Sequence, residues 1–126
     1  MKFQDSKLIL KVELFGKKSS IIVEALIDTG AAYTLIPPRI ANLLELELDK
    51  EEPYVMLSTA SGVIGVTKKI INEIKINGLM FKNIPAVIHE LPEPTLIKVL
   101  IGMNLLMKTK LIVDGKKKEF ILENSL

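Results

Sequence analysis

Apolar and polar positions alternate along much of this chain, in short runs broken by glycine, proline and asparagine. Residues 7–15, Lys-Leu-Ile-Leu-Lys-Val-Glu-Leu-Phe, alternate in their second half, as a half-buried strand does. Gly16-Lys17-Lys18-Ser19 supplies a turn, and residues 20–27 return as a second strand. This hairpin delivers the chain onto Asp28. Tyr33 to Ile36 is a further β-prone run, ended by Pro37-Pro38. Proline suits the first turn of a helix, and Arg39 to Glu45 carries apolar residues at helical spacing, so the pattern predicts a short helix there.

Beyond the polar stretch Asp49 to Glu52 and Pro53, Tyr54 to Ala60 reads as a strand running into Ser61-Gly62-Val63-Ile64-Gly65. Two glycines three residues apart between β-prone runs predict a hairpin tip. Val66 to Ile76 continues as a long strand, and Asn77-Gly78 signals a tight turn. Leu79 to Ile84 pairs back, Pro85 to Ile88 forms a further strand, and Leu91-Pro92-Glu93-Pro94 is a loop, since proline cannot donate to a ladder. Val99-Leu100-Ile101 is a fully apolar strand ended by Gly102, with helical character from Met103 to Met107. Lys110 to Val113 and Lys118 to Leu122 form a closing hairpin around an Asp114-Gly115 turn. Many short strands with one or two short helices, and no repeat or linker, predict an all-β, barrel-like fold in a single domain spanning residues 1–126.

Composition narrows the chemistry. Nearly half the residues are apolar and a quarter are charged, a globular balance. The net charge is +2, and the only tight basic cluster is Lys116-Lys117-Lys118, so no nucleic-acid partner is expected and the lysines read as a solvated turn. No run approaches the length of a membrane span, and the N-terminus lacks an apolar leader, so the expectation is a soluble, cytoplasmic protein with no membrane partner. Without cysteine there is neither a disulfide framework nor a thiolate site. The single histidine, His89, beside Glu90 in a loop, is expected to be exposed and argues against a metal site or a Ser-His-Asp triad. Tyr33 and Tyr54 read as packing residues. Carboxylates, lysines and hydroxyls remain as candidate reacting groups, with no metal and no cofactor expected.

Among the carboxylates, Asp28 stands apart. In Ala25-Leu26-Ile27-Asp28-Thr29-Gly30-Ala31 it directly follows three apolar residues, which places its carboxylate near the core. That position is costly unless hydrogen bonds or a partner compensate it. The other three aspartates lie near the terminus (Asp5), in a polar run (Asp49) and in a tight turn (Asp114).

Asp28-Thr29-Gly30-Ala31, followed about seventy residues later by Leu100-Ile101-Gly102-Met103-Asn104-Leu105-Leu106, resembles the retroviral-type single-domain aspartic proteases, the retropepsins. The order also matches: a hairpin, the Asp-Thr-Gly-Ala loop, a glycine-bearing flap, then an apolar strand running through glycine into a short helix. The resemblance covers roughly residues 8 to 122. With fewer flap glycines and a longer closing hairpin than the retroviral form, the chain looks most like cellular and microbial members of the clan. The resemblance implies a closed acid-protease-like β-barrel and hydrolysis of peptide bonds by a water activated between two carboxylates that share a proton.

One chain offers one such aspartate, so the resemblance implies a homodimer in which two Asp28 carboxylates meet across a two-fold axis. By their match to the family motif, Thr29 would donate its hydroxyl across that axis. Gly30 would let backbone approach the pair and adopt angles barred to bulkier residues, and Ala31 would leave room for substrate backbone. Residues 58–65, with Ser61, Gly62, Val63 and Ile64, would close over an extended peptide or protein substrate. Leu100, Ile101 and Gly102 would pass behind the loop, and Asn104 would cap the helix or bind neighbouring backbone groups. An apolar pocket from Ile36, Val63, Ile64 and Ile88 would favour apolar side chains flanking the cut bond. Two bland readings compete: Asp28-Thr29-Gly30 as an ordinary strand exit, and a catalytically inactive family member that only dimerises or binds peptides.

Overall fold

A computed structural model describes residues 1–125. Ten strands and two short helices follow in the order β1 (Ile9–Phe15), β2 (Ser20–Ile27), β3 (Thr34–Ile36), α1 (Pro38–Leu43), β4 (Glu47–Leu48), β5 (Tyr54–Thr59), β6 (Gly62–Ile76), β7 (Leu79–Ile88), β8 (Val99–Ile101), α2 (Met103–Leu106), β9 (Thr109–Asp114) and β10 (Glu119–Asn124). The strands β1-β2-β8-β3-β7-β6 are hydrogen-bonded in that order, and β6 pairs back to β1, which closes a six-stranded barrel. The expected all-β barrel is what the chain forms.

Alternation explains the barrel wall. Leu10, Val12 and Leu14 of β1 are buried while Lys11 points out. Ala25 and Ile27 of β2 are buried while Ile22 and Glu24 are exposed. These side chains join Ile71, Ile74 and Ile76 of β6, Ile84 of β7, Ile101 of β8 and Leu105 of α2 in one core. Each such side chain contributes about 1.5–3 kcal/mol when removed from water. The β6–β7 turn forms as the sequence predicts: Asn77 and Gly78 both have positive φ, 48° and 81°, the signature of a two-residue hairpin turn.

Several boundaries move. The helix α1 starts at Pro38, with Pro37 as its N-cap, and stops short of Glu45, which sits at φ 51° and turns the chain away. That turn leads into the two-residue strand β4, which the pattern did not predict and which pairs with Ile70 and Lys69 of β6. The strand β6 begins at Gly62 rather than Val66 because β5 pairs with it almost to the tip, Thr59 opposite Gly62. The runs 79–84 and 85–88 are one strand. Its Pro85 is tolerated where parallel pairing with β3 starts only at Ala86, and the Pro85 carbonyl accepts the Asn104 side-chain amide at 2.7 Å. The closing hairpin forms as expected with its turn one residue later, at 115–118, and Asp114 Oδ1 accepts the Lys117 N–H at 3.0 Å. His89 is half-buried rather than exposed, its N–H donating to Ile36 O at 3.0 Å. Tyr54 packs little, with 68% of its surface exposed. Among the described residues no helix is long and apolar enough to cross a membrane.

Candidate active site

The Asp28 loop is built where two strands of distant sequence run side by side. The strand β8 lies parallel to β2, with Ile27 beside Ile101, and antiparallel to β3, with Leu35 opposite Leu100. The barrel ladder then continues one step past β2, since the Asp28 N–H donates to Ile101 O at 3.0 Å. Beyond it the chain reverses tightly, with Ala31 N–H donating to Asp28 O at 3.2 Å. Asp28 Oδ1 accepts the Gly30 N–H at 3.0 Å, so the carboxylate is oriented by its own loop. Asp28 is half-buried, less deeply than the apolar run predicted, because the loop lies at the rim of the barrel with Thr29 and Gly30 exposed.

The role inferred for Gly30 changes in kind. Its φ is not positive, so no forbidden backbone angle requires glycine. The constraint is one of space: a Cβ there would lie 3.3 Å from Asp28 Oδ1, so the carboxylate would have to give by a few tenths of an ångström.

The loop is clamped from below. Met103 N–H donates to Ala31 O at 2.7 Å and Asn104 N–H to Ala32 O at 3.1 Å, so the start of α2 takes up two loop carbonyls. Asn104 does not cap α2, whose N-cap is Gly102 and carries no side-chain cap bond. Instead Asn104 Oδ1 accepts Thr34 N–H at 2.9 Å and Thr34 Oγ1–H at 3.0 Å, and its amide donates to Pro85 O. Thr34, fully buried, also accepts the Gly102 N–H on Oγ1 at 3.2 Å. These bonds leave no buried side-chain polar atom unsatisfied among the described residues. Gly102 is required by proximity: a Cβ would strike the Tyr33 carbonyl group and come within 2.8 Å of Thr34 N.

The hairpin β5–β6 packs on Leu100 of β8, the strand that runs alongside β2 up to this loop. Its tip residues Ser61, Gly62, Val63 and Ile64 are all exposed, and Gly62 at φ 122° turns the chain where a side chain would strain. Residues directly opposite in an antiparallel pair share a face. Val55–Val66 and Leu57–Ile64 therefore form one face, and Met56–Gly65 and Ser58–Val63 the other. Val55, Val66 and Leu57 pack with Leu35, Val87 and Leu100, a second apolar cluster separate from the barrel core. Leu100 adjoins Ile101, so this cluster borders the Asp28 loop.

The pocket inferred from sequence needs revision on this register. Ile36 is fully buried in the barrel core and Val63 lies on the outer face of the hairpin. The inward set is Leu57 and Ile64, with Leu35 and Leu100 beneath.

Sequence reasoning missed Lys68. Its side chain is 4% exposed, and Nζ lies 2.9 Å from Glu52 Oε2, 3.3 Å from Asp49 Oδ2 and 4.8 Å from the centroid of the Tyr33 ring. Burial opposes the charge of Lys68, but hydrogen bonds to Glu52 and Asp49 outweigh it and hold the ammonium above its usual pKa range. Burial likewise opposes the Asp49 carboxylate, while the Glu51 N–H and Lys68 hold it below the usual range. A signal was present: the period of two places Lys68 on the same face as buried Val66. Asp49, read as part of a polar run, is buried by this pairing.

The other two aspartates are exposed, Asp5 at φ 48° near the N-terminus and Asp114 in the closing turn. A cavity of about 540 Å³ is lined by Lys17, Glu45, Glu47, Asp49, Asn83 and Pro85 among others, and by no residue of the Asp28 loop. Among the described residues no group of three or more metal-ligating side chains is gathered.

Comparison with known proteins places this arrangement. The family described as "gag-polyprotein putative aspartyl protease" matches residues 16–108, well over half the chain. A retropepsin-like aspartic protease from Rickettsia conorii superposes with a TM-score of 0.70 at 25% sequence identity, over 98% of this chain and 86% of that one. EIAV protease, in complex with the inhibitor HBY-793, shares the fold with a TM-score of 0.59 at 18% identity, over 80% of this chain and 86% of that one. No curated protein matches the chain by sequence. The Asp-Thr-Gly-Ala loop, the strand threaded beside it and the hairpin over the second apolar cluster are thus set in a retropepsin-like barrel, and the chain belongs to the gag-type aspartyl protease family.

Proposed function

We propose that the chain is an aspartic endopeptidase whose site is completed by a second copy of itself. One observation carries the reading. The Asp28 carboxylate is oriented by the Gly30 N–H on a loop whose Thr29 and Gly30 are exposed, and the buried Asp49 is engaged by Lys68. A clamped, half-exposed carboxylate at a rim is half of an acid–base pair. A two-fold axis beside the loop supplies the other half with the same geometry.

In that dimer the two Asp28 carboxylates share one proton, because close like charges push their proton affinities apart. The ionised member takes a proton from water as it attacks the peptide carbonyl, and the protonated member donates to the carbonyl oxygen. Proton donation to nitrogen then releases the amine. The substrate lies extended between loop and hairpin, bound as an added strand, with Leu57, Ile64 and Leu100 favouring apolar side chains at the cut bond.

Replacing Asp28 with Asn tests the chemistry. The variant is expected to fold with an unchanged urea midpoint and to lose peptide hydrolysis by at least about a thousandfold. Cleavage of a peptide library at wild-type rates by that variant contradicts the proposal.

A further inference from the structure

Lys68 sits where the projecting hairpin joins the barrel. Pairing between β5 and β6 runs from Thr59–Gly62 to Tyr54–Thr67, and Lys68 is the next residue down. There its backbone is bound to the segment that leads into the hairpin, its N–H donating to Pro53 O at 2.8 Å and its carbonyl accepting Asp49 N–H at 2.8 Å. Its side chain binds the same segment through Asp49 and Glu52 and reaches across to the face of Tyr33. Tyr33 lies two residues beyond Ala31, and its carbonyl group abuts Gly102 beneath the loop.

A buried ammonium is costly unless paired, so a chain needing only a filled space there would carry an apolar residue. Two carboxylates and an aromatic face meet this one charge, and together they join hairpin base and loop exit.

We propose that Lys68 is a positioning residue that fixes the base of the 54–67 hairpin against the exit of the Asp28 loop, and so sets how firmly substrate is held under the hairpin. The inference rests on the peptidase reading and names the residue that governs its moving part. Lys68 touches no reacting atom, so its effect belongs in substrate binding.

The test compares Lys68→Met, Lys68→Arg and Tyr33→Leu with the wild type. Methionine keeps the apolar stem and removes the charge. Expected for Lys68→Met is a KM for a cleaved peptide raised about tenfold with kcat within about twofold. Amide hydrogen exchange should accelerate at residues 54–67 and stay unchanged in 9–27. Arginine, which can meet both carboxylates and the ring, should return KM to within about threefold of wild type. Tyr33→Leu, which spares the ion pairs, should raise KM in the same direction, and it decides the matter if Lys68→Met does not fold.

Wild-type KM and wild-type exchange in the folded variants overturn the proposal. So does exchange that accelerates equally throughout the chain, which marks Lys68 as merely structural. If the wild type cleaves no peptide, the peptidase reading fails, and the exchange comparison alone decides the role of Lys68.

Discussion

Gly102 and Asn104 do at the residue scale what the Asp28 loop cannot do alone. The loop is short, exposed on one side and held by few bonds of its own, so its geometry is set by what lies beneath. Any side chain at 102 must displace the Tyr33 carbonyl group, which is backbone and cannot swing aside. Gly102→Ala is therefore expected to cost about 3 kcal/mol, read as a lowered urea midpoint. Asn104→Leu fills similar space but orphans Thr34 N–H and Pro85 O, at an expected cost of roughly 3 kcal/mol. A urea midpoint within error of wild type in either variant counts against this account of the clamp. Asp28, Gly102 and Asn104 were legible in the sequence because each interrupts an apolar run with a residue whose chemistry is specific. Thr34 and Lys68 were not, because a threonine in a strand is ordinary and a lysine in a strand normally points outward. The period of two sets Lys68 on the face of Val66, but only the contacts with Asp49, Glu52 and Asn104 give these two side chains their roles.

Element boundaries followed local chemistry where neighbours agreed with it. Asn77-Gly78 turned as two residues of positive φ must, and the closing turn settled at 115–118, where Asp114 Oδ1 accepts the Lys117 N–H. The two-residue strand β4 carries no periodic signal of its own and exists because β6 is long enough to pair with it. The connection from β4 to β5 gives a pH test. The Asp49 carboxyl is held below the usual range, so its contribution to stability is full above its unfolded pKa near about 4 and is lost as pH falls through the folded value. Lys68 has the opposite sign: its contribution is full below about 10.4 and is lost as pH rises through its raised folded value. Asp49→Asn should therefore unfold at lower urea than wild type at neutral pH, with the gap closing as pH drops below about 4. A gap that stays constant from neutral to acid pH contradicts the pairing. At the hairpin tip, Gly62→Val places a β-branched residue at φ 122° and should cost about 1–3 kcal/mol of strain or shift the tip, seen as altered hydrogen exchange at 58–65.

The described residues form a closed barrel, with the distinctive carboxylate just past the end of β2 on a loop whose Thr29 and Gly30 are exposed. Closure was legible only in outline, since strand count and alternation suggest a barrel, but the return of β6 onto β1 depends on contacts between residues about sixty apart. Counting aspartates suggested the two-chain site proposed above, and two observations support that reading. Asp28 is oriented by the Gly30 N–H of its own loop, and Asp49 is held by Lys68. Dilution should then reduce specific activity as dimers dissociate. The sharpest measurement mixes subunits. Wild-type chains are combined with Asp28→Asn chains, re-equilibrated, and assayed for peptide hydrolysis at constant total protein. If each site needs one Asp28 from each chain, activity follows the square of the wild-type fraction, leaving about a quarter at an equal mixture. Activity that falls in simple proportion to the wild-type fraction would mean that one chain holds a complete site, and would contradict the account.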